Sequence, residues 1–156
     1  GVPVWATEQN PDKLGGTGAA LVPLCDRIVP KMAFGGADAL LPLLTPPPAA
    51  PRGNARSLPR HLQKAAPPAP ERGTVVIAGC ETHVCLLQSA LLLLEADWDV
   101  WVVQDACGSR TERNRDAAYD RLAAAGCELV TTEMVGFEWV RDCQHPQFKA
   151  WQGLIK

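Results

Sequence analysis

Thr74-Val75-Val76-Ile77-Ala78-Gly79-Cys80-Glu81-Thr82-His83-Val84-Cys85 is the stretch on which the fold turns. The apolar run 74–78 reads as a strand. Gly79 and the polar residues after it read as a tight turn. A helix follows over 84–96, through Leu86-Leu87-Gln88-Ser89-Ala90-Leu91-Leu92. Cys85 then stands at the turn-to-helix junction, where backbone N–H groups are unpaired and the helix dipole is positive. Both fields favour thiolate over thiol, so a cysteine in such a place is a better nucleophile than one in a core. The competing reading is a buried structural cysteine, since free Cys is among the most buried residue types.

The period continues downstream. Residues 99–103 read as a strand and 111–125 as a helix, opened by Ser109 with Glu112 three residues on as a capping box and closed by Gly126. A strand at 127–131 and a helix at 133–142 follow. Upstream, 2–7 and 27–31 read as short strands, 8–18 as a loop with Pro11, Gly15, Gly16 and Gly18, and 37–44 as a short helix. Apolar strands alternating with amphipathic helices predict an α/β fold: a doubly wound, Rossmann-like parallel sheet with helices on both faces, in three layers. Ligands bind beyond the carboxyl ends of such strands. Cys85, Lys31, Asp105 and Cys107 all follow strand ends, so periodicity puts Cys85 and Lys31 on one rim.

Residues 45–70 differ in kind, with prolines at 46, 47, 48, 51, 59, 67, 68 and 70. Proline fixes φ and removes a donor, so the stretch makes neither a helix nor an inner strand. It reads as a flexible or polyproline-like insertion in a single domain spanning 1–156, either a plain linker or a ligand for an SH3-type partner.

The chain of 156 residues suits one domain with a sizeable core, and 47% hydrophobic against 21% charged residues is a globular balance. A net charge of −2 supplies no basic surplus for nucleic acid or anionic lipid. No apolar run approaches the ~18 residues of a membrane span, and none reads as a signal peptide. The six cysteines have scattered spacings and no CxxC, which predicts free thiols in a cytoplasmic or other reducing compartment rather than a disulfide framework. His83 lies between Cys80 and Cys85, but no second ligand pair has finger-like spacing, so zinc is not expected. The chain opens without Met, inside the strand approach Gly1-Val2-Pro3-Val4-Trp5-Ala6, and reads as a fragment or as a gene product short of its first segment.

A thiolate needs a nearby cation or a base. Lys31, after Val29-Pro30, supplies the charge unless it is a solvated surface lysine. The backbone N–H groups of Glu81 and Cys85 are placed to form an oxyanion hole. The Glu81 side chain reads equally as a base or a helix cap, Thr82 as a cap. His83 invites a Cys–His dyad, although a residue two before Cys85 in a tight turn tends to point away. Asp105 either binds a polar ligand or caps the backbone around Ser109.

In this order, Thr7-Glu8-Gln9 with Leu14-Gly15, Val29-Pro30-Lys31 with Phe34, Gly79 to Cys85, Asp105-Ala106-Cys107-Gly108-Ser109-Arg110, Arg121-Leu122 with Gly126, Thr131-Thr132-Glu133, and His145-Pro146 with Phe148-Lys149 form a specific set. With it the chain resembles the isochorismatase-like cysteine hydrolase superfamily, in the branch of isochorismatase domain-containing protein 2. The match covers the chain except the proline-rich insertion.

The resemblance implies an Asp–Lys–Cys triad, with Cys85 as nucleophile and Lys31 as the lysine. It also implies a cis peptide before Glu81, oxyanion donors at Glu81 and Cys85, and pocket positions at Gln9, Phe34 and Thr82. The aspartate would take the thiol proton, Cys85 would attack a carbonyl or similar carbon, and water would release the product. The family carries that aspartate on a strand upstream of the Thr7-Glu8-Gln9 match; Asp12 and Asp26 do not fit the position. The same absent segment would provide the central strand and first helix, leaving the strands at Val4 and Val75 facing a gap one strand wide. The Asp and two His that hold a metal in nicotinamidase-type relatives have no match, so neither a metal nor another cofactor is expected.

Two functions follow as expectations. One is a cysteine hydrolase of small molecules, with substrate open and activity impaired by loss of a base worth ~10²–10⁴-fold. The other is a non-catalytic scaffold or interaction module whose open sheet takes a strand from a partner or sister chain. A thiol-redox role lacks a resolving cysteine. Homo-oligomers are expected, with the aromatic tail from Trp139 to Trp151 either offering surface for association or packing on its own core.

Overall fold

The computed structural model describes residues 1–44 and 73–155; the proline-rich insertion lies outside the described residues. The strands are β1 (Trp5–Gln9), β2 (Arg27–Lys31), β3 (Thr74–Cys80), β4 (Asp99–Gly108) and β5 (Glu128–Val130). The helices are α1 (Pro11–Leu14), α2 (Ala37–Leu40), α3 (Leu87–Glu95), α4 (Glu112–Ala125), α5 (Thr132–Val140) and α6 (Phe148–Leu154). Every strand pairing is parallel: β1 with β2, and β3 with β4 with β5. The α/β reading holds.

Side-chain alternation in β4 explains the layering. Val100 and Val102 point into a core with Leu86, Leu87, Ala90 and Leu93 around α3 and with Tyr119 and Leu122 of α4. Trp101 and Val103 point the other way, to Val130, Val76 and Val135 of α5. Leu93 and Leu122 are fully buried, each worth about 1.5–3 kcal/mol relative to exposure.

Several boundaries differ from expectation. β1 starts at Trp5 rather than Val2, and Asp26 fixes its approach by accepting from the Val4 amide at 2.8 Å. The loop at 8–18 contains α1, entered through Asn10 in the left-handed conformation. The helix expected at 37–44 is one turn, Ala37–Leu40. β4 runs on to Gly108, because the β3–β4 register slips between Ile77 and Gly79, where Gly79 takes φ +134°. Only glycine adopts that φ readily. Helix α4 is capped by Thr111, whose hydroxyl accepts from the Asn114 amide at 3.3 Å, so the capping box opened by Ser109 does not form. Gly126 does close α4, at φ 106°.

The β1–β2 ladder and the β3–β4–β5 ladder are not hydrogen-bonded to each other among the described residues.

Candidate active site

Beyond β3, the peptide between Cys80 and Glu81 is cis. The chain then winds into one π-helical turn, Thr82–Leu86, before α3 begins. The Leu86 amide reaches back to the Glu81 carbonyl at 3.2 Å, five residues away. The expected single helix over 84–96 is therefore two pieces, and Cys85 sits in the wide turn. Single π turns recur at functional sites because they re-aim side chains within a helix.

Three contacts fix this turn. Thr82 is fully buried and donates its hydroxyl to the Gly108 carbonyl at 2.8 Å, which ties the turn to the end of β4 instead of capping a helix. His83 Nδ1 lies 3.0 Å from Ser109 Oγ, while Arg110 Nη2 and Asn114 Nδ2 lie 3.3 and 3.4 Å from Nε2. Its ring is engaged toward α4, and it makes no hydrogen bond to Cys85. The Glu81 carboxylate accepts from Arg110 Nε at 3.1 Å, an ion pair at the rim.

Ser89 supplies the third contact. One turn after Cys85, its hydroxyl donates to the Cys85 carbonyl at 2.7 Å and accepts from the Gly36 amide at 2.7 Å. A Cβ on Gly36 would lie 3.4 Å from Thr7 Cγ2 and 3.7 Å from Lys31 Cδ, so the loop after β2 presses on the lysine stem. Two hydrogen bonds thus connect the Cys85 turn to the loop that packs on Lys31. In the sequence Ser89 looked only like an interruption of an apolar run. Its signal was the one hydroxyl on α3, four residues after the cysteine.

Lys31 is buried, 8% exposed, and is not a surface lysine. Its ammonium donates to Gln9 Oε1 at 2.6 Å, the Ala33 carbonyl at 3.0 Å and the Phe34 carbonyl at 2.7 Å. All three protons meet neutral acceptors, and no carboxylate pairs with it among the described residues. Gln9 donates in turn to the Met32 carbonyl at 2.7 Å, so it braces the lysine. Phe34 binds the lysine through its carbonyl and leaves its ring exposed.

Asp105 does not cap the backbone around Ser109. It accepts from the Thr132 amide at 2.8 Å and the Thr132 hydroxyl at 3.1 Å, anchoring the start of α5. All six cysteines are free. Burial pushes the thiols of Cys107 and Cys127 up from their ordinary value. Among the described residues no group of three or more His, Cys, Asp or Glu is arranged to hold a metal, and no helix is long and apolar enough to cross a membrane.

Parallel β-strands covered by helices on both faces, with a thiol just past one strand end and a buried lysine at another, make a three-layer α/β domain. Residues 58–134 match the isochorismatase domain. The chain belongs to the isochorismatase-like family. It is 36% identical over 155 residues to isochorismatase domain-containing protein 2 of Bos taurus, covering 99% of this chain and 65% of that protein. It thus spans less than two thirds of that relative's length. Among solved structures, the MAR1 ribonuclease of Caenorhabditis elegans superposes with a TM-score of 0.76 at 28% identity, over 99% of this chain and 69% of that one. The YcaC product of Escherichia coli, an octameric hydrolase of unknown specificity, shares the fold at a TM-score of 0.66 and 22% identity, over 99% and 72%.

Proposed function

We propose that this domain is a cysteine hydrolase of small molecules in which Cys85 is the nucleophile and Lys31 the charged partner. The observation that carries the reading is the Cys85–Ser89–Gly36 connection, which joins the thiol's turn to the loop packed on Lys31. The thiolate attacks a carbonyl-type carbon, a C–S bond forms, and the oxygen gathers charge facing the Glu81 and Cys85 amides. The leaving group departs with a proton, and water cleaves the acyl-thioester to free product and thiol. Gln9 braces Lys31, the exposed Phe34 ring is the candidate for substrate contact, and the buried Thr82 holds the turn that bears Cys85. The resemblance gives the thiol proton to an aspartate, and among the described residues no carboxylate is hydrogen-bonded to Cys85.

A small molecule is favoured over RNA because a net charge of −2 supplies no overall basic surplus. Six free thiols favour a reducing compartment. The exposed Met134, Phe137 and Trp139 favour self-association. The unjoined ladders favour a second reading, a scaffold that keeps the fold without turnover.

Iodoacetamide at neutral pH, with each cysteine followed by mass spectrometry, tests the first reading. Cys85 is expected to react faster than the exposed Cys80 and Cys143, and more slowly in Lys31→Met. Equal rates for Cys85 and the exposed thiols remove the nucleophile assignment and leave the scaffold.

A further inference from the structure

Ser89 is a buried hydroxyl whose proton has one place to go. The Gly36 amide can only donate and the Cys85 carbonyl can only accept. The hydroxyl therefore accepts from the first at 2.7 Å and donates to the second at 2.7 Å. The two bonds run in series, from the π turn that bears Cys85 to the loop after β2. That loop lies directly on α3, and two glycines let it. A Cβ on Gly35 would come within 2.8 Å of Leu92 Cδ1, and one on Gly36 within 3.3 Å of Ser89 Oγ. Gln88, Ser89 and Leu92 form the face of α3 on which the loop rests. The same short loop carries the Ala33 and Phe34 carbonyls, which accept from the Lys31 ammonium at 3.0 and 2.7 Å. Gly36 follows Phe34 by two residues, so a shift of the Gly36 amide moves the cradle of the charge.

We propose that Ser89 is a positioning residue: through the Gly36 amide it holds the carbonyl cradle of Lys31 in place against the turn that bears Cys85, and so sets how strongly the lysine charge favours the thiolate. Its hydroxyl bonds to neither the Lys31 ammonium nor the Cys85 thiol, so it acts only through the backbone on either side. The attraction between an ammonium and a thiolate falls with distance and with water between them. A cradle free to drift from α3 would let both rise. This role of Ser89 rests on the reading of Cys85 as nucleophile and Lys31 as its charged partner. It adds that the charge is effective only while the loop is fastened to α3.

The test is a double-mutant cycle on the 156-residue chain, read as the rate of Cys85 alkylation by iodoacetamide at neutral pH, with Cys80 and Cys143 as references in the same molecule. Ser89→Ala is expected to slow Cys85 about three- to tenfold and to leave Cys80 and Cys143 unchanged. Ser89→Thr, which keeps the hydroxyl, is expected to restore most of the rate. In the Lys31→Met background, Ser89→Ala is expected to change the Cys85 rate less than about twofold, because the charge it positions is gone. Should Ser89→Ala lose its cooperative urea transition, Ser89→Cys, which weakens both hydrogen bonds at similar volume, is read in its place with the same expectations. An unchanged Cys85 rate in Ser89→Ala overturns the role of Ser89. So does equal slowing with and without Lys31, which makes Ser89 a brace of the Cys85 turn alone. So does Ser89→Thr as slow as Ser89→Ala, which makes side-chain volume decisive and not the hydroxyl. Wild-type Cys85 no faster than Cys80 and Cys143 removes the nucleophile reading and the role of Ser89 with it. Fast wild-type Cys85 with a silent Ser89→Ala removes the role of Ser89 alone.

Discussion

The Lys31 ammonium donates to the side-chain oxygen of Gln9 at 2.6 Å, one neutral group bracing a buried charge from the neighbouring strand. A buried charge is tolerated only while its hydrogen bonds are made. Gln9→Leu removes that acceptor and also the donor to Met32, and is expected to lose about 1–3 kcal/mol. Gln9→Glu keeps an acceptor and adds a counter-charge, so it is expected to unfold at higher urea than Gln9→Leu. A common midpoint for Gln9→Leu and wild type would show that the bond does not hold the lysine.

Thr82 makes a second such prediction. Thr82→Val keeps the shape of a fully buried side chain but orphans the Gly108 carbonyl. A loss of about 1–3 kcal/mol is expected in urea. Thr82→Ser, which keeps the hydroxyl and loses a methyl, is expected to lose less. If Val is the better tolerated of the two, packing and not the hydrogen bond fixes the turn that bears Cys85.

Trp151 packs helix α6 against α5. A Cβ on Gly136 of α5 would overlap the Trp151 ring, which also meets Phe137 edge-on at a centroid distance of 6.2 Å. Gly136→Ala is therefore expected to push α6 off α5. Faster proteolysis within 148–154, with β3 and β4 exchange unchanged, is the expected signature; wild-type proteolysis would mean the indole moves aside.

Alkali tests the buried acids. Burial pushes up Cys107, Cys127 and Tyr119, whose ordinary values are 9.0, 9.0 and 10.0. The folded chain therefore keeps these protons to a higher pH than the unfolded chain. Their contribution to stability is whole below pH 9.0 and falls as pH rises through the folded values. The urea midpoint is expected to drop steadily above pH 9.0 and to drop less in Cys127→Ala, measured against that variant's own neutral-pH midpoint. At neutral pH Cys107 and Cys127 are expected to be the slowest thiols toward iodoacetamide.

What the sequence determined is what neighbouring residues dictate. Apolar alternation in 74–78 and 99–103 marks strands, because each side chain chooses a face from its own position. Gly126 marks a helix end, because a left-handed residue is needed there. The cysteine past a strand end is legible for the same reason: strand, turn and helix are all local signals. Tertiary structure decided which polar groups meet. Ser109 and Thr111 have the same capping chemistry, and Thr111 caps α4 because Ser109 faces His83 of another loop. Asp105 serves Thr132, 27 residues away, and Ser89 serves Gly36, 53 residues away. The π turn at Thr82–Leu86 is held by Gly108 and Gly36 as well as by its own backbone. The division of five strands into two ladders depends on edges whose partners no local pattern specifies. Hydrogen bonds between distant segments leave no period in the sequence, so the rim's position was readable while its wiring was not.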